Sequence, residues 1–96
     1  MSEQPALATD APIARAEGLV ASEVNGEVVI LSIELGHFFH LNATGSRIWS
    51  LLDAPMTVAA LSATLSERFA VGVEEGRRDV TEFVEGMLEK GLLERV

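Results

Sequence analysis

The sequence predicts an α+β domain in which a three-stranded antiparallel β-meander is followed by three α-helices. Three observations carry this reading. Short runs rich in Val, Ile, Leu and Phe fill residues 19–41 with glycine-bearing turns between them. After Leu41 the apolar period changes from two to 3.6 residues, and each stretch with the longer period begins or ends on residues that cap helices.

The strands are expected over Leu19 to Val24, Val28 to Ile33 and His37 to Leu41. Asn25-Gly26 separates the first two and tolerates the positive φ angles of a type I′ turn, whose twist suits antiparallel strands. Glu34-Leu35-Gly36 joins the second to the third, with Gly36 free to take the left-handed position of a three-residue loop. Upstream, residues 1–17 hold Pro5 and Pro12 among small and charged residues without either period. They read as a flexible N-terminal arm, leaving residues 18–96 as the folded domain.

Asn42 or Thr44 can cap the first helix, which carries Ile48, Trp49, Leu51 and Leu52 and is stopped by Asp53-Ala54-Pro55. Thr57 caps the second; Met56 and Leu61 are placed to staple its first turn, and Leu61, Leu65 and Phe69 share a face. Gly72 breaks the chain. The third helix starts near Glu74 and Glu75, acids that suit the positive end of its dipole, and runs to Lys90, with Gly91 just beyond it and Leu92 able to close on Met87. On a helical wheel Val73, Val80, Phe83, Val84, Met87 and Leu88 form an apolar arc of about 140°.

Composition removes several classes of function. The 96 residues suffice for one modest core. A net charge of -8 with only seven basic residues opposes nucleic-acid binding, and the single adjacent pair, Arg77-Arg78, lies among Glu74, Glu75, Asp79 and Glu82. Cysteine is absent, so disulfides, thiolate metal sites and cysteine nucleophiles are excluded. No apolar run approaches the length that crosses a bilayer, and the N-terminus has neither the basic flank nor the apolar stretch of a secretory signal; a cytoplasmic protein without a membrane partner is expected.

Catalysis is not expected either. His37 and His40 are three apart in a strand and point to opposite faces, a geometry that does not chelate one metal. No serine lies in a Gly-x-Ser-x-Gly elbow, and no phosphate-cradling glycine pattern occurs, so no catalytic residue, metal or cofactor is assigned. Two features stay unabsorbed. Gly76 and Gly86 lie inside the third helix, where each costs roughly 1 kcal/mol against Ala. Strand alternation sends Phe39 and Leu41 to the core side and leaves Phe38 with His40 on the other.

The third strand would lie at a sheet edge and carries no Lys, Pro or inward charge to blunt it, which suits docking of an extended peptide by strand addition. Two other readings share these elements. A winged-helix DNA-binding regulator would require a basic recognition helix, and neither the second nor the third helix is basic. A small oligomerisation subunit would pair its third-strand edges with each other.

The run Phe38-Phe39-His40-Leu41-Asn42-Ala43-Thr44-Gly45, followed by Ile48-Trp49 and Leu51-Leu52, resembles the PqqD-like family of RiPP recognition elements. The similarity continues through Thr57, Leu61, Leu65, Phe69, Asp79-Val80, Phe83 and Gly91-Leu92-Leu93, covering residues 18–96. Within the family, the Leu41-to-Gly45 and Ile48-Trp49 pattern is most similar to the stand-alone leader-binding proteins of lasso-peptide biosynthesis; the peptide chaperone of pyrroloquinoline quinone biosynthesis is a close relative. The resemblance implies a winged-helix-like domain of three strands and three helices that binds the leader segment of a ribosomally synthesised precursor as a fourth strand. It implies two partners that hold the catalytic residues, a leader-cleaving cysteine peptidase and an ATP-dependent macrocyclase. It also implies leader contacts along His37, Phe38, Phe39, His40 and Leu41, an apolar wall of Val80, Val84 and Met87, and a polar rim contact at Arg77.

Overall fold

The computed structural model describes residues 11–96. The first ten residues of the expected arm lie outside the described residues. The chain forms β1 (Ile13–Arg15), β2 (Leu19–Val24), β3 (Glu27–Ser32), β4 (His37–His40), α1 (Ala43–Leu51), α2 (Val58–Phe69), α3 (Val73–Lys90) and β5 (Leu93–Arg95). The expected meander is present as an antiparallel sheet of order β2-β3-β4, and the three helices follow it, so the α+β class holds.

Local chemistry sets the boundaries. Asn25 and Gly26 take φ of 54° and 83°, the pair of positive angles expected of the first hairpin. The second hairpin differs by one residue from the sequence expectation. Ser32 pairs with His37, so the loop is Ile33 to Gly36. The chain turns after Ser32, whose carbonyl accepts from the Gly36 N–H (2.8 Å) and whose hydroxyl accepts from the Leu35 N–H (3.2 Å), while the Ile33 N–H still donates to the Gly18 carbonyl at 3.1 Å. Gly36 closes the turn at φ 70°.

Asn42 caps α1 by accepting from the Gly45 N–H at 2.8 Å, and Thr57 caps α2 by accepting from the Ala60 N–H at 3.0 Å. At the far end of α3, Gly91 is left-handed and the Leu92 N–H donates to the Met87 carbonyl at 2.9 Å, the closure expected from the sequence. The helices pack on one face of the sheet around Ile30, Ile48, Leu61, Leu65, Val80 and Val84, all with no measurable exposure. Val73, placed on the apolar arc by the helical wheel, is instead 77% exposed, because it stands in the first turn of α3 beyond the reach of that core.

The arm expected over residues 1–17 is a correction within its described part. Ile13–Arg15 is a strand, antiparallel to β5, with Ile13 opposite Arg95 and Arg15 opposite Leu93. Ile13 is completely buried, which for an isoleucine is worth about 1.5–3 kcal/mol of transfer free energy. Arg15 lies 4.7 Å from the Trp49 ring centroid and donates to the Trp49 carbonyl at 2.6 Å. Burial pulls this guanidinium below its ordinary basicity, and the Asp53 carboxylate acts in the opposite direction. None of the described helices is long and apolar enough to cross a membrane.

Candidate peptide-binding edge

β4 runs straight into α1, and the junction is held by an unusual ladder. The Leu41 N–H donates to the Val28 carbonyl at 2.8 Å, but the Val28 N–H does not return to Leu41. It donates to Ser46 Oγ at 2.8 Å, and that hydroxyl donates to the Leu41 carbonyl at 3.3 Å. A helix side chain thus replaces one rung of the sheet. Because antiparallel rungs alternate, Leu41, Phe39 and His37 direct their main-chain groups at β3, and Phe38 and His40 direct theirs outward. Among the described residues no strand pairs with that outward side.

The side chains divide as strand alternation requires. Phe39 is half-buried against the core, opposite Ile30, with the His37 ring edge-on to it at 6.4 Å. Leu41 is buried. On the other face Phe38, opposite Leu31, is 71% exposed, and His40 Nε2 lies 2.9 Å from Glu27 Oε1. The two histidines are therefore engaged on opposite faces of the strand, in keeping with their odd spacing.

Beside the open edge lies a trough of about 220 Å³ between β4, the start of α1 and α3. Leu41, Gly45, Phe83, Gly86 and Met87 form its apolar surface, with Glu82 and Lys90 among its polar lining. Phe83 can lie there because Gly45 has no side chain: a Cβ on Gly45 would come within 3.1 Å of the phenyl ring. The arrangement offers unpaired main-chain donors and acceptors next to a recess of mixed apolar and polar lining, and no nucleophile or metal-ligating cluster adjoins it among the described residues.

The structure brings together only part of the expected residue set. His40, Leu41 and Met87 border the trough, and His37, Phe38 and Phe39 complete the strand. Val80 and Val84, expected as the apolar wall, are fully buried among the helices and face no groove. Arg77, expected at the rim, borders a separate cleft between α2 and α3 with Ser62, Ser66 and Val71. The physical reason is rotation about the helix axis. A helical period marks the apolar stripe but not which margin of it meets the core, and the trough is walled by the neighbouring stripe of Glu82, Phe83, Gly86 and Lys90. Gly86 inside a helix was the available signal.

Fold and site together define a class: a small α+β domain that leaves one strand edge open beside a helix-walled trough. The chain belongs to the PqqD family, described as coenzyme PQQ synthesis protein D, whose model matches residues 27–93. A comparison with curated proteins gives no match. Among solved structures the chain is similar to TbiB1 in complex with the TbiA(beta) leader peptide, at 31% identity and a TM-score of 0.75, covering 84% of this chain and 94% of that one. It shares its fold with a lasso peptide synthetase B1 complexed with the leader peptide, at 22% identity, a TM-score of 0.71 and coverage of 85% and 96%. It also shares the fold of the PqqD truncation of Methylobacterium extorquens PqqCD, a stand-alone RiPP recognition element solved by NMR, at 20% identity, a TM-score of 0.77 and coverage of 94% and 96%.

Proposed function

We propose that this chain is a non-catalytic cytoplasmic recognition protein that binds the leader segment of a ribosomally synthesised precursor peptide. The leader adds as a strand to the outward side of β4, taking main-chain hydrogen bonds from Phe38 and His40. Its side chains alternate between the outer sheet face beside Phe38 and the trough formed by Leu41, Phe83 and Met87. Bound in this way, the precursor is presented to a leader-cleaving cysteine peptidase and an ATP-dependent macrocyclase, which supply the chemistry.

The single observation that carries this reading is the open ladder of β4 next to a recess walled by α3. The similarity to TbiB1, solved in complex with a leader peptide, supports leader binding. A regulator that reads DNA is disfavoured by α3, where Arg77, Arg78 and Lys90 are outnumbered by Glu74, Glu75, Asp79, Glu82, Glu85 and Glu89.

The test is calorimetric titration with a synthetic leader of the cognate precursor peptide. Binding with a Kd of about 0.1–10 μM is expected for a short added strand plus a few pockets. A flat titration at high protein concentration would overturn the reading.

A further inference from the structure

Two glycines interrupt α3, and each weakens the helix relative to alanine because a glycine backbone loses more freedom on folding. Gly76 has a packing reason. A Cβ there would stand 3.0 Å from Ser66 Oγ and 3.7 Å from the Ser62 carbonyl, where α2 crosses closely. Gly86 has no such reason, since a Cβ on it would meet nothing within 4 Å. Its backbone gives none either: it lies within a regular helix, and the positive-φ glycines are Gly18, Gly26, Gly36 and Gly91.

α3 therefore gives up stability at a position where none of the described residues asks for it. That position borders the trough beside β4, next to Phe83 and Met87. Local departures from good helix sequence without an internal explanation concentrate where a protein meets its ligand.

We propose that Gly86 is a peptide-contact position, kept bare so that an inward-pointing side chain of the added strand can lie directly on the backbone of α3. Leu41, Phe83 and Met87 line the space together with Asn42, Glu82 and Lys90, so the side chain admitted there meets both apolar and polar surface. This inference rests on the leader-binding reading and adds to it the residue that sets the width of the trough.

Gly86→Ala and Gly86→Leu, compared with the unsubstituted protein by thermal unfolding and by calorimetric titration with the same synthetic leader, test it. Gly86→Ala is expected to raise the unfolding midpoint by about 4–8 °C, the shift for replacing a mid-helix glycine in a domain of this size. The same substitution weakens leader binding, and Gly86→Leu, which fills the recess, weakens it by about tenfold or more. If the unsubstituted protein binds and both variants bind as well as it does, the role of Gly86 is overturned while leader binding stands. If the unsubstituted protein gives no heat, the leader reading falls and this inference falls with it. An alanine variant no more stable than the parent would remove the premise that the glycine is costly, and would overturn the inference even if Gly86→Leu failed to fold.

Discussion

β1 and β4 are both short strands at the margin of a sheet, yet the chain treats them in opposite ways. β1 is used on both sides: β5 pairs with one, and on the other Ile13 exchanges bonds with Met56, N–H to carbonyl at 2.7 Å and carbonyl from N–H at 3.0 Å. Among the described residues β4 is paired on one side only, by β3. The difference teaches that an open edge does not follow from a strand being short. Where closure serves the core, as at Ile13, a short strand finds partners on both flanks. At β4 the edge is left available, although exposed strand edges invite unwanted pairing and are usually blunted.

The strongest way to break this comparison is to attack the closed strand. Ile13→Ala should cost about 2–5 kcal/mol of stability by denaturant unfolding, because it empties a fully buried site shared by both sheets and the helices. A cost below about 0.5 kcal/mol would mean that β1 is an ornament and that the contrast with β4 is false.

A smaller effect is expected from closing the open strand chemically. Proline is tolerated where the missing N–H faces away from the ladder, so His40→Pro should keep native circular dichroism while removing one outward donor. Leader affinity should fall by about tenfold, the value of one main-chain bond and its unsatisfied partner. His40→Ala, which retains the donor, should fall between this variant and the parent. Equal binding by the proline variant would place the peptide elsewhere.

The smallest effect sharpens the site's extent. Arg77→Ala should change stability by less than about 0.5 kcal/mol and leave leader affinity as it was, since Arg77 borders the α2–α3 cleft and not the trough. A loss of affinity on this substitution would restore Arg77 to the rim and extend the binding surface around α3.

The order of these tests follows what could be read from the sequence. The meander and the helices were legible because each has a strong local signature: Asn25-Gly26 at the first turn, Thr57 at a cap, Gly91 at a helix end. β1 and β5 were not, because a strand of three residues is too short to display a period of two, and Pro12 beside Ile13 reads as loop. The site was half legible. Strand alternation placed Phe38 and His40 outward correctly as side chains, since parity along a strand admits only two faces. Val80 and Val84, expected to wall the groove on α3, are instead core residues, because hydrophobicity alone selects the residues best suited to burial.

The hydroxyl of Ser46, wedged between Val28 and Leu41, carries a consequence for how a ligand would be read. It pins the corner where sheet becomes helix, so β4 cannot creep along β3 without tearing a buried polar contact. An incoming strand therefore meets a ruler with fixed graduations: a shift of one residue would turn every one of its side chains to the wrong face. Were a peptide added there, discrimination could rest on spacing along the chain, with Ser46 and the β3–β4 ladder together holding the scale in place.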